Sequence, residues 1–260
     1  MNGPKRLVLD IENSPILADV WGLWKNNVSL DQIRRDWVML SWAAKWVGED
    51  YIYSDALPHY AKEYKADPEN DEHILASLND MLNEADMVIG HNSSAFDLPK
   101  IRARMESLGL KPFSPVQEID TLKIAKQAFR FSSNKMAFIA ETLGIGTKTD
   151  TGGHLLWVKC LRGDPKSWAL MEEYNCNDVI LTEQVYELLA PWSKGHPNFG
   201  LYSFGDDAQC TVCGSHDLAC DGYAYTQMGR FQRYRCKACG KYLRGRKNTK
   251  SRDELLTNVM

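Results

Sequence analysis

The stretch that decides the fold is RLVLDIEN, residues Arg6–Asn13. It is typical of a buried β-strand, and because side chains alternate between the two faces of a strand, Asp10 and Glu12 lie on the same face. Two neighbouring carboxylates repel each other and resist burial unless a cation binds between them. The pair therefore indicates either a metal site on a central strand or an edge strand with one face in solvent.

The remainder of the first 190 residues predicts a mixed α/β sheet with helices packed on it. Between the first two strands lies a long loop with Trp21 and Trp24, whose rings either stack on nucleic-acid bases or anchor the loop to the core. A linker is predicted at 193–200. Predicted strands lie at 5–12, 37–47, 51–55, 86–92 and 116–120, and predicted helices at 70–85, 94–109, 121–129, 134–143 and 165–189.

Two further motifs carry carboxylates. HNSSAFD places Asp97 just beyond a strand, at the sheet edge where ligands bind in open α/β folds, or simply in a first helical turn that favours an acid. EEYNCND places Tyr174 and Asp178 four residues apart on one helix face. The alternative for this last pair is a Tyr on a core face beside an exposed Asp.

Taken together, the three motifs resemble those of the DEDD superfamily, the proofreading-type 3′→5′ exonucleases with a ribonuclease H-like fold. The resemblance covers about residues 5–190. One branch of the family has a general-base His five residues before the last Asp, where this chain has Glu173, so the chain is similar to the tyrosine branch of these DnaQ-like enzymes. The Trp-rich loop and the following DWVMLSWAAKW also resemble phage-encoded stand-alone members.

The resemblance implies hydrolysis of phosphodiester bonds at single-stranded DNA 3′ ends with two Mg²⁺ or Mn²⁺ ions. It implies that Asp10 bridges both ions, that Glu12 and Asp178 hold one of them, and that Asp97 supports the other. Tyr174 would orient the attacking water, because a phenol with a pKa near 10 is a poor base at pH 7. The implied catalytic residues are Asp10, Glu12, Asp97, Tyr174 and Asp178, and Asn92 and Phe96 would contact the substrate.

Two other functions stay open at this point. The substrate could be RNA or short oligonucleotides, because the motifs do not read the sugar. Alternatively, the chain could be a non-catalytic DNA-binding protein or replication adaptor with an inactive nuclease fold, although all five motif residues are present.

Charge is unevenly distributed along the chain. The formal net charge is −3, but residues 222–260 hold ten Lys or Arg against Asp253 and Glu254, a net +8, and the first 221 residues therefore carry −11. A basic tail on an acidic body predicts a polyanionic partner, with a solvated tail as the alternative.

No stretch approaches the roughly 20 apolar residues of a membrane span, and the N-terminus has no apolar signal core, so we expect a cytoplasmic protein with no membrane partner.

Two C-x-x-C pairs separated by 22 residues lie in the C-terminal segment, one just before the basic tail and one within it. This pattern predicts one structural Zn²⁺ in a tetrahedral site whose binding energy folds a segment too small for its own core. The predicted zinc ligands are Cys210, Cys213, Cys236 and Cys239, the spare candidates are His216 and Cys220, and Cys160 and Cys176 are expected to be buried thiols.

Over about 35 residues this segment resembles the zinc ribbons at the N-termini of some transposases. The resemblance implies contact with nucleic acid through basic and aromatic side chains, and docking to a DNA polymerase or another replication factor is the alternative use. The expected organisation is an exonuclease domain at 1–195 and a zinc ribbon at 205–250. The predicted nucleic-acid contacts are Arg230, Arg233, Arg235 and Lys237.

Overall fold

The computed structural model describes residues 3–203, 207–250 and 256. Its strands are β1 (Arg6–Asn13), β2 (Leu17–Ala18), β3 (Ile33–Arg35), β4 (Met39–Trp46), β5 (Ile52–Ala56), β6 (Met87–Gly90), β7 (Gln117–Asp120), β8 (Leu218–Thr226), β9 (Gly229–Cys236) and β10 (Tyr242–Asn248). Its α-helices are α1 (Ala61–Ala66), α2 (Glu72–Glu84), α3 (Asp97–Ser107), α4 (Thr121–Ala128), α5 (Met136–Thr142), α6 (Leu155–Leu161) and α7 (Pro165–Leu189).

The centre of the fold is a mixed five-stranded sheet in the order β5-β4-β1-β6-β7. β1 lies in the middle, antiparallel to β4 and parallel to β6, and β7 runs parallel to β6. The edge-strand interpretation of RLVLDIEN is therefore wrong. Because β1, β6 and β7 are parallel, their carboxyl-terminal ends lie at the same end of the sheet. Glu12, the segment after Gly90, and Asp120 all lie at this end.

The two faces of β1 pack against different sets of helices, as strand alternation predicts. Leu7, Leu9 and Ile11 join a core with buried residues of α2, α3 and α6. Val8 joins a second core with buried residues of α4, α5 and α7. The mixed α/β sheet with helices on both faces that the sequence predicts is confirmed.

Helix α2 shows how the sequence determines these elements locally. Its apolar residues Ile74, Leu75, Leu78 and Leu82 recur at helical spacing, and all four are fully buried. Helix α3 ends where the sequence predicts, since Gly109 follows its last turn with φ +68°, a backbone conformation that glycine adopts without strain.

The Trp-rich loop leaves the end of β1 as a short two-stranded hairpin of β2 and β3. Trp21 and Trp24 are 101% and 86% exposed, so the interpretation of these two rings as anchors to the core is wrong. Trp42, on β4, is buried instead, and its Nε1 donates to the carbonyl of Ile74 at 2.8 Å.

The C-terminal strands form a separate antiparallel sheet in the order β10-β9-β8. The predicted linker at 193–200 does not lie free of the rest of the chain. Phe199 is 4% exposed and packs in one cluster with Tyr186 and Leu189 of α7 and with Cys210. The guanidinium of Arg6 lies 5.0 Å from the Phe199 ring centroid, so the C-terminal sheet docks near the start of β1, opposite the edge where β1 ends.

Among the helices within the described residues, none combines the length and the apolar character that crossing a bilayer requires.

Candidate active site

Three acidic side chains from two elements meet at the end of β1. Asp10 and Glu12 come from this strand, and Asp178 comes from α7, which packs across it. One carboxylate oxygen from each of the three lies within 4.8 Å of the others. Asp178 is only 2% exposed, so the alternative of an exposed Asp beside Tyr174 is wrong.

The raised pKa values of Asp10, Glu12 and Asp178 show that three ionised carboxylates are unfavourable at this buried position. Burial, followed by repulsion from Asp97, Glu12 and Asp178, raises the pKa of Asp10 well above its usual range. Burial raises the pKa of Glu12 to about 8, against a hydrogen bond from Trp157 that lowers it. Burial also raises the pKa of Asp178. A cluster of this kind favours a bound cation, because a cation converts mutual repulsion into attraction.

Asp97 lies beside this group but outside it. It is the first residue of α3 and 4% exposed, and its Oδ1 accepts a hydrogen bond from the backbone N–H of Ile11 at 3.3 Å. Burial raises its pKa to about 7. The structure therefore places Asp97 next to β1 but does not bring its oxygens into the three-carboxylate cluster, consistent with the indirect support that the resemblance implies.

Lys148 is a member of the site that sequence reasoning missed. Its Nζ forms an ion pair with Asp178 and donates to the hydroxyl of Tyr174 at 3.1 Å. Burial lowers its pKa, but the Asp178 carboxylate more than compensates, so the net shift is upward. Burial, with the negative charge of Asp178, raises the pKa of Tyr174 to about 12. Lys148 comes from the Gly/Thr-rich loop before α6, where no sequence pattern marks it.

Two other missed residues orient the carboxylates. Asn175 Nδ2 donates to Asp10 Oδ2 at 2.7 Å, and its Oδ1 accepts from Ser41 at 3.2 Å. Trp157 Nε1 donates to Glu12 Oε2 at 3.1 Å, and its ring lies edge-on to Tyr174 with centroids 6.1 Å apart. Asn175 stands inside the EEYNCND motif, which could have suggested it, whereas Trp157 lies on α6, a helix that the sequence analysis did not predict.

The implied substrate contacts Asn92 and Phe96 flank the same edge. Asn92 has φ +71°, and its backbone N–H donates to Asp120 Oδ1 at 2.9 Å, which fixes the turn after β6. Phe96 is 43% exposed, with the ammonium of Lys100 5.2 Å from its ring centroid. An exposed ring beside a cation suits contact with a nucleotide.

The acidic cluster passes a simple test for a metal site. Asp178 Oδ1 is buried and has no hydrogen-bond partner among the described residues. A buried acceptor without a partner is unfavourable, and a bound cation would satisfy it. All the available donors are carboxylate oxygens, the ligands that Mg²⁺ and Mn²⁺ prefer. Asp10, Glu12 and Asp178 therefore fit a hard divalent cation.

The four predicted zinc ligands also come together. The Sγ atoms of Cys210 and Cys239 are 3.6 Å apart, as are those of Cys213 and Cys236, and all four lie within 4.8 Å of one another. A tetrahedron with Zn–S distances of 2.3 Å has edges of about 3.8 Å, so the cluster fits zinc. The spare candidates stay outside it: Cys220 is exposed, and His216 Nδ1 lies 3.2 Å from the carbonyl of Ala208.

The predicted nucleic-acid contacts of the C-terminal sheet have mixed environments. The guanidinium carbons of Arg230 and Arg235 lie 4.4 Å and 5.8 Å from the ring centroids of Tyr223 and Tyr242. Arg233 pairs with the carboxylate of Asp221 at 3.4 Å, and Lys237 pairs with that of Asp217 at 3.0 Å. Arg230 and Arg235 are therefore the ones whose charge is not paired with an acid among the described residues.

Comparisons with known proteins agree on the fold. A family model described as the RNase H superfamily matches residues 46–190. Among solved structures, the chain is similar to the family B DNA polymerase from the hyperthermophilic archaeon Pyrobaculum calidifontis, with a TM-score of 0.54 and 16% sequence identity. The similarity covers 72% of this chain but only 25% of the polymerase, so it shows the fold alone. No curated protein sequence matches the chain.

Proposed function

Because the chain belongs to the RNase H superfamily, whose model matches more than half of its length, we propose that it is a metal-dependent nuclease that removes nucleotides from the 3′ ends of single-stranded DNA. The observation that carries the nuclease proposal is the cluster of Asp10, Glu12 and Asp178 at the end of a central strand. The 3′→5′ direction and the DNA substrate rest on the three motifs that resemble those of DEDD exonucleases.

In this proposal the protein positions its ligands before substrate arrives. Asp10, Glu12 and Asp178 would hold two divalent cations, with Asp97 supporting from the side. Bound there, Mg²⁺ or Mn²⁺ supplies a lower pKa for the attacking water and charge neutralisation at the leaving 3′-oxygen. Asn175 and Trp157 hold Asp10 and Glu12 in place through the hydrogen bonds described above.

Tyr174 acts as a hydrogen-bonding group in this proposal and not as a base. With its pKa raised to about 12, the phenol keeps its proton near pH 7. Its hydroxyl oxygen accepts from Lys148 and its O–H also interacts with the Asp178 carboxylate, so the phenol would orient a water bound next to that carboxylate. Lys148 also offsets the charge of Asp178, so that the cluster is not wholly uncompensated in the folded chain.

For the C-terminal part we propose a zinc ribbon at 205–250, following a nuclease domain at 1–195. Its four cysteines would hold one structural Zn²⁺ with no open position, so it carries no chemistry. Arg230 and Arg235, with Tyr223 and Tyr242 beside them, would contact nucleic acid. Because Phe199 and Cys210 pack against α7, the ribbon is best tested within the full chain.

The test is a digestion panel of 5′-labelled single- and double-stranded DNA and RNA with Mg²⁺, Mn²⁺ or EDTA. Single-stranded DNA should shorten stepwise with either metal and stay intact in EDTA. Asp10→Ala should lower the rate by several orders of magnitude because it removes a shared ligand. Glu173→Gln, an exposed acid on the same helix as Asp178, is the matched control and should cleave like the wild type.

The outcomes separate the alternatives. Near-wild-type cleavage by Asp10→Ala would refute the assignment of the site. Degradation of RNA with little degradation of DNA would favour an exoribonuclease or oligonucleotidase. Binding without hydrolysis under every metal condition would favour a non-catalytic adaptor.

A further inference from the structure

Helix α4 and the segment after it form a basic stretch within an acidic body. Residues 121–135 contain Lys123, Lys126, Arg130 and Lys135 and no acidic residue, whereas the first 221 residues together carry −11. All four side chains are exposed, and none forms a salt bridge within the described residues. A local excess of positive charge on a negative body requires an explanation, and none of the proposed catalytic roles uses it.

Three of these cations lie close together on α4 and just after it. Lys123 and Lys126, spaced i and i+3, share one face of α4. Arg130 lies two residues beyond the helix, and its guanidinium folds back to donate to the carbonyl of Lys126 at 3.3 Å. The opposite face buries Ile124 and Ala125 in the core. Because α4 starts directly after Asp120, at the sheet edge where β1 also ends, this basic face leads away from the acidic cluster over about 12 Å, at 1.5 Å per residue.

Aromatic rings continue the same path beyond the end of α4. The rings of Phe129 and Phe131 are stacked with centroids 5.1 Å apart, and Trp192 lies edge-on to Phe129 at 5.5 Å. Trp192 is 62% exposed and lines a cleft of about 420 Å³ together with Arg235 and Tyr242 of the C-terminal sheet.

The basic face and the C-terminal sheet are also physically continuous. Lys123 and Gln127 of α4 line one groove of about 110 Å³ together with the segment Ser193–Pro197. Lys241, which precedes β10, donates its Nζ hydrogen bond to the carbonyl of Ser193. The groove beside α4 is therefore linked to the C-terminal sheet through the contact of Lys241 with Ser193.

We propose that a single strand of nucleic acid runs from the acidic cluster along Lys123, Lys126 and Arg130 to the cleft of Trp192 and Tyr242. This inference rests on the proposed function and extends it by assigning the path of the strand upstream of its 3′ end. Grooves for single strands combine backbone-tracking cations with rings on which bases stack, and both are present here in sequence. The path also explains how a ribbon docked opposite the acidic edge can hold the same strand.

The experiment measures binding of 5′-fluorescein-labelled dT20 to the zinc-loaded protein by anisotropy across a salt series, with Mg²⁺ and Mn²⁺ omitted and no chelator added. The triple variant Lys123→Gln/Lys126→Gln/Arg130→Gln should flatten the slope of log K against log salt by about 2, since each contact on a single strand contributes about 0.7. The control Lys62→Gln/Lys65→Gln/Lys166→Gln removes three exposed cations flanking the contact of Tyr64 with Trp168, away from α4, and should keep the wild-type slope.

Two further measurements test the path itself. Trp192→Ala should weaken dT20 binding by roughly tenfold with little change in salt slope, because it removes a stacking surface and no charge. With Mg²⁺, the triple variant should lose at least about tenfold in kcat/KM for dT20 relative to dT2, because a dinucleotide has only one nucleotide upstream of the scissile bond and no further strand to lie along α4.

The outcomes distinguish this inference from the proposed function. A triple variant with the wild-type slope, or a wild-type protein that does not bind dT20, overturns the path whether or not the protein cleaves DNA. Equal losses for dT20 and dT2 also overturn it, since they would place the effect at the acidic cluster. The expected binding pattern without any metal-dependent hydrolysis would support the path and refute the nuclease.

Discussion

Replacing Glu12 with Gln should stabilise the metal-free protein at neutral pH. Burial raises the pKa of Glu12 from 4.5 to about 8 in the folded chain. A carboxyl with a raised folded pKa costs no stability below the unfolded pKa, and the cost grows by about 1.36 kcal/mol per pH unit until the folded pKa is reached. Between pH 4.5 and pH 7 this cost reaches about 3 kcal/mol, and glutamine, which does not ionise, does not incur it.

The assay is thermal unfolding in EDTA at several pH values between 4.5 and 8. At pH 7, Glu12→Gln should melt about 6–12 °C above the wild type, since 1 kcal/mol corresponds to roughly 2–4 °C in a protein near this size. Near pH 4.5 the two melting temperatures should converge. The amide oxygen of glutamine can still accept from Trp157 Nε1, so the substitution changes the charge with little change in packing.

Magnesium should narrow the difference in stability between the two proteins. The wild type should gain stability in millimolar Mg²⁺ because the ion binds the folded state, whereas Glu12→Gln has lost a ligand and should gain less. Glu173→Gln, the exposed control, should follow the wild type in both conditions. If Glu12→Gln melts at or below the wild-type temperature at pH 7 in EDTA, the argument that burial strains this carboxylate is wrong.

Two further substitutions test single groups. Tyr174→Phe should lower kcat on labelled single-stranded DNA without abolishing cleavage, because it removes the hydroxyl that orients a water but keeps the carboxylates that would hold the metal ions. An unchanged rate would show that Tyr174 only packs against its neighbours. Cys213→Ser should lower the zinc content below one ion per chain and open 207–250 to limited proteolysis, while Cys220→Ser, an exposed thiol outside the cluster, should retain zinc. Full zinc content in Cys213→Ser would contradict the four-cysteine site.

Much of the fold could be predicted because its determinants are local. The alternation of apolar side chains identified β1, and the helical spacing in α2 identified a core-facing helix to within two residues at each end. Helix α6 escaped prediction because it is a short element of seven residues behind a Gly/Thr-rich loop, and the hairpin of β2 and β3 has too few residues for any periodicity.

The sequence by itself determined the carboxylate motifs and the paired cysteines, since their residue types and spacing indicate metal chemistry wherever the chain places them. Only the tertiary structure decided that Asp10, Glu12 and Asp178 form one cluster while Asp97 stays beside it. It also decided that Lys148 and Trp157 belong to the site. Trp157 meets its partner across 145 residues of chain, and such a contact depends on how helices pack across a sheet, which no local pattern encodes.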